Sequence, residues 1–210
     1  IPQRNHTATL IAAIARGLPV RLITDEAEYR DPSKLWNAWN VDRLHMGGAQ
    51  VRMEAHLGSL HQKSTTLYGQ NLTIFGSSNW TTPSARSQLE HNIFTTDPAY
   101  FEFFRQQFER KWNNATGNIE TKPFVPLPPD TPSYVAPANA AQDQALAVTL
   151  RWYAGPWAHK YDIYLGTDPA NLTQVASDVE LGPSDSASDH IRFALDGLQG
   201  GTTYYWQVVS

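Results

Sequence analysis

The sequence predicts an α/β unit followed by an all-β sandwich that is left incomplete, and three observations carry that expectation. Up to about residue 112, apolar residues recur at helical spacing between short apolar runs of strand length. Residues 119–138 then hold six prolines, at 123, 126, 128, 129, 132 and 137, with no helical period. Beyond them, apolar and polar residues alternate in short runs divided by turn residues, which is the pattern of a β-sandwich. These boundaries divide the chain into residues 1–118, a semi-extended linker over 119–138, and residues 139–210.

Each element follows from its residues. Thr7–Arg16 is rich in alanine and isoleucine at helical spacing, and Gly17 stops it. Val20–Thr24 reads as a short buried strand. Asp31-Pro32 is suited to open a second helix, with Leu35, Trp36, Trp39 and Leu44 on one face and Gly47-Gly48 as its end. Val51–Ala55 is a further strand. His61–Tyr68 and Leu72–Phe75 read as paired strands around a turn at Gly69-Gln70-Asn71. A polar loop, Gly76-Ser77-Ser78-Asn79, follows, then a short helix over Pro83–Leu89 and a strand over Asn92–Thr95. Asp97-Pro98 caps a last helix to about Trp112, whose aromatic stripe (Tyr100, Phe101, Phe104, Phe108, Trp112) reads as a packing face. In the third region the alternating runs are Ala147–Trp152, Tyr161–Leu165, Ile191–Leu195 and Thr203–Val209.

Composition narrows the chemistry. With 41% hydrophobic and 17% charged residues the chain is of ordinary globular type. A net charge of −4 demands no nucleic-acid coat, though it leaves room for a local basic patch. The absence of cysteine removes disulfides, thiolate zinc sites and cysteine nucleophiles. No apolar run approaches the roughly 20 residues that span a bilayer. The chain starts at Ile1 and stops at Ser210 inside a strand-like run, so it reads as a fragment.

The informative segment is His61-Gln62-Lys63, then Gly76-Ser77-Ser78-Asn79, then Glu90. On a strand, residues two apart share a face, so His61 and Lys63 are expected to project together. Two basic groups side by side disfavour each other's charge unless an anion lies between them, and a phosphate supplies that anion. Phosphodiester hydrolysis needs a nucleophile, an acid for the leaving group, and donors for the charged oxygens. An imidazole can attack phosphorus near neutral pH, and an ammonium steadies the phosphoryl charge. Ser77 and Asn79, after a glycine that admits close backbone approach, can donate further hydrogen bonds. A carboxylate such as Glu90 could hold the second nitrogen of the histidine. His6, His45, His56 and His91 match no metal-ligand spacing.

Residues 61–79, HQKSTTLYGQNLTIFGSSN, resemble the HKD motif of the phospholipase D superfamily: H-x-K, four residues, D, then G-S-x-N. His61, Lys63, Gly76, Ser77 and Asn79 fall on matching positions. The segments around the motif are similar to the family's preceding helix and strand and its closing strand and helix, over roughly residues 7–112. The resemblance implies a phospholipase D-like α-β-α half-domain that hydrolyses or transfers phosphodiesters through a covalent phosphohistidine. It implies His61 as the catalytic imidazole, Lys63, Ser77 and Asn79 as phosphate ligands, and Glu90 as the supporting carboxylate. No metal or other cofactor is implied. The family's aspartate position holds Tyr68, which carries no charge near neutral pH. Family sites pair two such motifs, and a second is expected from missing N-terminal sequence or from a homodimer mate.

The last region resembles a fibronectin type III domain lacking its final strand. Trp152 corresponds to the buried tryptophan, and Tyr204 after Leu198–Thr203 corresponds to a tyrosine corner. Such modules accompany exported bacterial enzymes, which implies an extracellular or periplasmic location. Phospholipid is the first substrate expectation. The rivals are an endonuclease on DNA or RNA, marked by a basic groove, and a non-enzymatic adhesion or scaffold protein with a decayed site.

Overall fold

The computed structural model describes all residues except 1–3, 57, 82–83, 85 and 183–189. The chain divides into two compact units, Ile1–Pro126 and Leu127–Ser210.

The first unit opens with α1 (Arg4–Ala15) and β1 (Arg21–Thr24), as the periodicity predicts. A short helix, α2 (Glu26–Arg30), was not foreseen. Asp25 starts it by accepting the Glu28 N–H at 3.0 Å. The next helix, α3 (Leu35–Met46), begins later than Asp31-Pro32 suggested. Asp31 instead accepts from the Ser33 N–H (2.9 Å) and hydroxyl (2.6 Å), an Asx turn that uses up the cap before the helix begins. β2 (Gln50–Glu54) follows and pairs parallel with β1, Arg21 opposite Gln50 and Thr24 opposite Met53.

The core of this unit lies between α2, α3 and β2. Tyr29, Ala38, Trp39, Val41, Leu44, Val51, Met53 and Phe124 are buried there. Two pairs of buried polar groups meet across the helices, as burial favours. Thr7 donates to Asn40 at 2.7 Å, and the Tyr29 hydroxyl donates to Asp42 at 2.9 Å.

A second sheet is an antiparallel meander of β3 (Ser64–Leu67), β4 (Leu72–Gly76) and β5 (Asn92–Thr95). β3 begins at Ser64, not at His61. The ladder explains this: Ser64 already faces Phe75 and β4 ends one residue later at Gly76, which leaves Lys63 a single backbone bond and nothing for His61 and Gln62 to pair with. A 3-10 turn, Tyr68–Gln70, joins the two strands. The helix expected over Pro83–Leu89 falls partly outside the described residues.

α4 (Pro98–Asn113) has Asp97 as its cap, accepting the Ala99 N–H at 2.8 Å. It packs on β3, β4 and β6 (Thr121–Pro123). Its aromatic stripe is only half-buried and is spent on ring contacts: Phe104 and Tyr100 lie 4.6 and 5.5 Å from Phe75. Asn114, left-handed at the helix end, ties α4 to β6 by accepting the Glu120 and Thr121 N–H groups.

The proline-rich stretch is not simply a linker. β6 extends the first sheet by pairing with β2, and β7 (Ser133–Ala136) belongs to the second unit. That unit is all-β. β7, β8 (Val148–Tyr153) and β11 (Ile191–Leu195) form one sheet. β9 (Lys160–Gly166), β10 (Thr173–Glu180) and β12 (Tyr205–Val209) form the other. Their alternating residues Leu150, Trp152, Tyr161, Ile163, Ile191 and Leu195 form one buried cluster. Trp152 is fully buried and stands edge-on to Tyr161 at 5.4 Å. The Tyr204 hydroxyl accepts the Gln199 N–H at 3.1 Å.

Candidate active site

The G-S-S-N loop leaves β4 at Gly76. A Cβ built there would overlap the carbonyl oxygen of His91 and the backbone of Asn92. Glycine is therefore what lets β4 and β5 close on each other at the loop's start. The Gly76 N–H donates to the Lys63 carbonyl at 3.3 Å and the Ser77 N–H to the His91 carbonyl at 3.0 Å. Those two bonds set the H-x-K segment, the loop and the chain before β5 side by side.

Their side chains border one cavity of about 420 Å³, lined by Lys63, Asn79, Glu90, Phe75, His6 and Trp80 among others. The structure thus brings Lys63, Asn79 and Glu90 together from positions 63 to 90 of the sequence. Ser77 stands beside them, donating to Glu90 at 2.5 Å and accepting the His91 N–H at 3.1 Å. Hydrogen bonds from Ser77 and then Ser84 hold the Glu90 carboxyl below its ordinary range, with Lys63 and His91 adding charge. Glu90 therefore keeps its negative charge to lower pH than an ordinary glutamate.

His61 is placed differently. It is exposed and its ring is not among the cavity-lining groups, while its carbonyl accepts the Lys63 ammonium at 2.6 Å. Glu90 is engaged by Ser77, so the expected carboxylate–imidazole pairing is not the contact formed here. Strand geometry, the ground for expecting the two side chains on one face, does not reach them, because β3 begins at Ser64.

Tyr68, at the position of the usual aspartate, points away into a separate cluster. Its hydroxyl donates to Glu109 at 2.9 Å and accepts from Arg21 at 3.2 Å. Arg21 in turn holds Glu109 through two hydrogen bonds, at 2.5 and 3.0 Å, and lies over Phe108 and Trp112 at 4.9 and 5.4 Å. Arg21, then Tyr68, keep the Glu109 carboxyl down at about 2.

His6 is the titratable lining residue that motif order does not place at the site. It sits on α1 with its ring 5.2 Å from Trp80, and burial lowers its pKa. Nothing in the order of residues links it to a motif more than fifty positions away. Charged groups in the lining are few, Lys63 and Glu90 beside the titratable His6, and Ile74, Phe75 and Trp80 give it an apolar wall. Among the described residues, no group of three or more His, Cys, Asp or Glu could hold a metal ion.

Residues 1–112 match the family model described as cardiolipin synthase, PLD-like domain. The mitochondrial cardiolipin hydrolases of Mus musculus and Homo sapiens are 34% and 33% identical to the chain over 97 residues, 46% of this chain. That of Chlamydomonas reinhardtii is 26% identical over 98 residues. The chain spans 41%, 36% and 41% of the lengths of these three relatives. Among solved structures, a phospholipase D family member, Nuc from Salmonella typhimurium, superposes with a TM-score of 0.50 at 18% identity. The match covers 59% of this chain and 76% of that one, and it shows a shared fold.

Proposed function

The chain belongs to the cardiolipin synthase, PLD-like domain family, and on that premise we propose that it supplies one catalytic half of a phosphodiesterase working through a covalent phosphohistidine. The observation that carries the reading is the convergence of Lys63, Asn79 and Glu90 on one cavity, with Ser77 bonded to Glu90. In this reading the Lys63 ammonium and the Asn79 amide bind the phosphate oxygens, and the Ser77 hydroxyl joins them. An ammonium already turned onto a carbonyl, that of His61, is a donor that an incoming phosphate can recruit. His61 turns its ring over the bound phosphate and either attacks phosphorus or protonates the leaving oxygen. Free-state geometry of this kind tightens on substrate binding.

The 210 residues contain one H-x-K. The partner imidazole therefore comes from another H-x-K half in the same protein or from a second copy. We favour a lipid phosphodiester, because the cavity pairs a single lysine with an apolar wall of Ile74, Phe75 and Trp80 and offers no basic groove in its described lining. The relatives named for cardiolipin hydrolysis support the same class.

The second unit we read as a fibronectin type III-like sandwich. Support comes from its two sheets, the buried Trp152 and the Tyr204 hydroxyl bonded to upstream backbone. An extracellular or periplasmic location accompanies that reading, and cell fractionation tests it.

The function is tested by offering the protein cardiolipin vesicles and single-stranded DNA in turn. Release of a phosphatidyl product that stops in the His61→Asn variant supports a lipid diesterase. Cleavage of DNA alone makes it a nuclease, and the absence of both activities refutes the enzymatic reading.

A further inference from the structure

We infer that Lys111, on α4 and outside the H-x-K motif, is a positioning residue that fixes that motif by holding the side chain of its middle residue, Gln62. The inference rests on the phosphodiesterase reading and adds to it a residue that no motif contains.

The need for such a tether comes from the fold. His61-Gln62-Lys63 precedes β3, so no strand ladder aims its side chains. Other contacts must do so. The Leu60 N–H donates to the Asp25 carboxylate at 3.0 Å, which fixes the chain just before the motif. The Gly76 N–H reaches the Lys63 carbonyl at its end. Between these posts the amide of Gln62 is held at both ends. Its oxygen accepts the Lys111 ammonium at 2.7 Å, and its nitrogen donates to the Ser64 hydroxyl at 2.8 Å. Gln62 is thus drawn toward α4 while Lys63 lines the cavity.

Lys111 is itself well anchored. Its carbonyl accepts the hydroxyl of Thr121, a buried residue, at 2.7 Å, and the Arg52 guanidinium binds the same hydroxyl at 2.8 Å. The end of α4 therefore cannot drift along β6. Burial lowers the Lys111 pKa, with Arg110 acting in the same direction and Glu120 and Glu54 opposing. An ammonium partly withdrawn from water loses less of its hydrogen bond to solvent competition. Without it, an exposed glutamine with several rotatable bonds is free to swing, and the backbone bearing His61 and Lys63 loses its mid-point support.

The test compares hydrolysis of bis(4-nitrophenyl) phosphate by the wild-type protein and by Lys111→Met, Lys111→Arg, Gln62→Leu and the Gln62→Leu/Lys111→Met pair. Misplacement of reacting groups by about 1 Å costs up to roughly 100-fold, so Lys111→Met is expected to lower kcat by about 10- to 100-fold. KM rises less than kcat falls, because Ser77 and Asn79 still bind the phosphate and only Lys63 shares the loosened backbone. The thermal midpoint stays at the wild-type value, Lys111→Arg recovers most of the rate, and the double variant is no slower than either single one. Two-dimensional NMR of the His61 ring should show its signal shifted and broadened in Lys111→Met. Full kcat in Lys111→Met, multiplying losses in the double variant, or a rate loss matched by a fall in thermal midpoint overturns the inference while leaving the diesterase reading in place. A wild type no faster than His61→Asn removes both.

Discussion

Replacing Glu109 by Gln removes one negative charge from the Arg21–Glu109–Tyr68 cluster and leaves the shape of the side chain almost unchanged. Arg21 then stays positive over Phe108 and Trp112 with only neutral acceptors beside it, the new amide oxygen at 109 and the Tyr68 hydroxyl. Folding depresses the Glu109 carboxyl from its ordinary 4.5 to about 2. Taken at face value that is worth about 3 kcal/mol. Both side chains are 28% exposed, and solvent screening reduces such pairs toward the ~1 kcal/mol measured at surfaces. We therefore expect Glu109→Gln to cost about 1–2 kcal/mol at pH 7. Because the folded value is the lower one, the unfolded chain takes up the proton first. The contribution is present above pH 4.5 and is lost as pH falls through about 2. Urea unfolding followed by tryptophan fluorescence across this range should show the wild type losing that increment on acidification and the variant lacking it throughout. A variant as stable as wild type at pH 7, or one whose deficit persists unchanged to pH 2, refutes the charge-pair account.

Gly76→Ala forces a Cβ against the His91 carbonyl and the backbone of Asn92. It should cost roughly 1–3 kcal/mol by overpacking and depress diester hydrolysis more than any substitution on the exposed surface of α4. Tyr68→Phe removes the hydroxyl that donates to Glu109 and accepts from Arg21, both at an exposed site. It should cost about 1 kcal/mol and leave kcat within about threefold of wild type, since Tyr68 is turned away from the cavity; a tenfold loss would place it in the chemistry. Trp152→Ala empties the centre of the second unit's core. It should cost about 3–5 kcal/mol, read as loss of the second unit's calorimetric transition.

Sequence order revealed the elements whose periodicity is long enough to read. α1, α3 and α4 follow from apolar spacing, and β4, β8, β9 and β11 from alternation, with only their ends displaced. The displaced ends have local causes: Asp31 spends its carboxylate on Ser33, and β3 starts where β4 begins to face it. β6 and β7 were illegible because three- and four-residue strands among prolines carry too few alternations. Pro123 can close β6 opposite Arg52 because it lies at a strand end, where no ladder donor is required. The site was legible in part. Lys63, Asn79 and Glu90 meet at one cavity, as motif order implied. The orientation of His61 was not legible, because it depends on contacts from residues distant in sequence. Asp25 lies 35 positions from Leu60, and Lys111 lies 49 from Gln62. Neither spacing has a periodic or motif signature. His6 reaches the cavity only because α1 folds against α3, where Thr7 meets Asn40.

The most direct measurement is the rate of bis(4-nitrophenyl) phosphate hydrolysis by the wild-type protein and by His61→Asn, with both unfolding curves recorded. An imidazole that attacks phosphorus, or one that protonates the leaving group, is expected to contribute at least about 100- to 10,000-fold. Hydrolysis by His61→Asn should therefore fall by that factor while its unfolding midpoint matches wild type. A variant that hydrolyses the diester at the wild-type rate, with the fold intact, contradicts the assignment of this site.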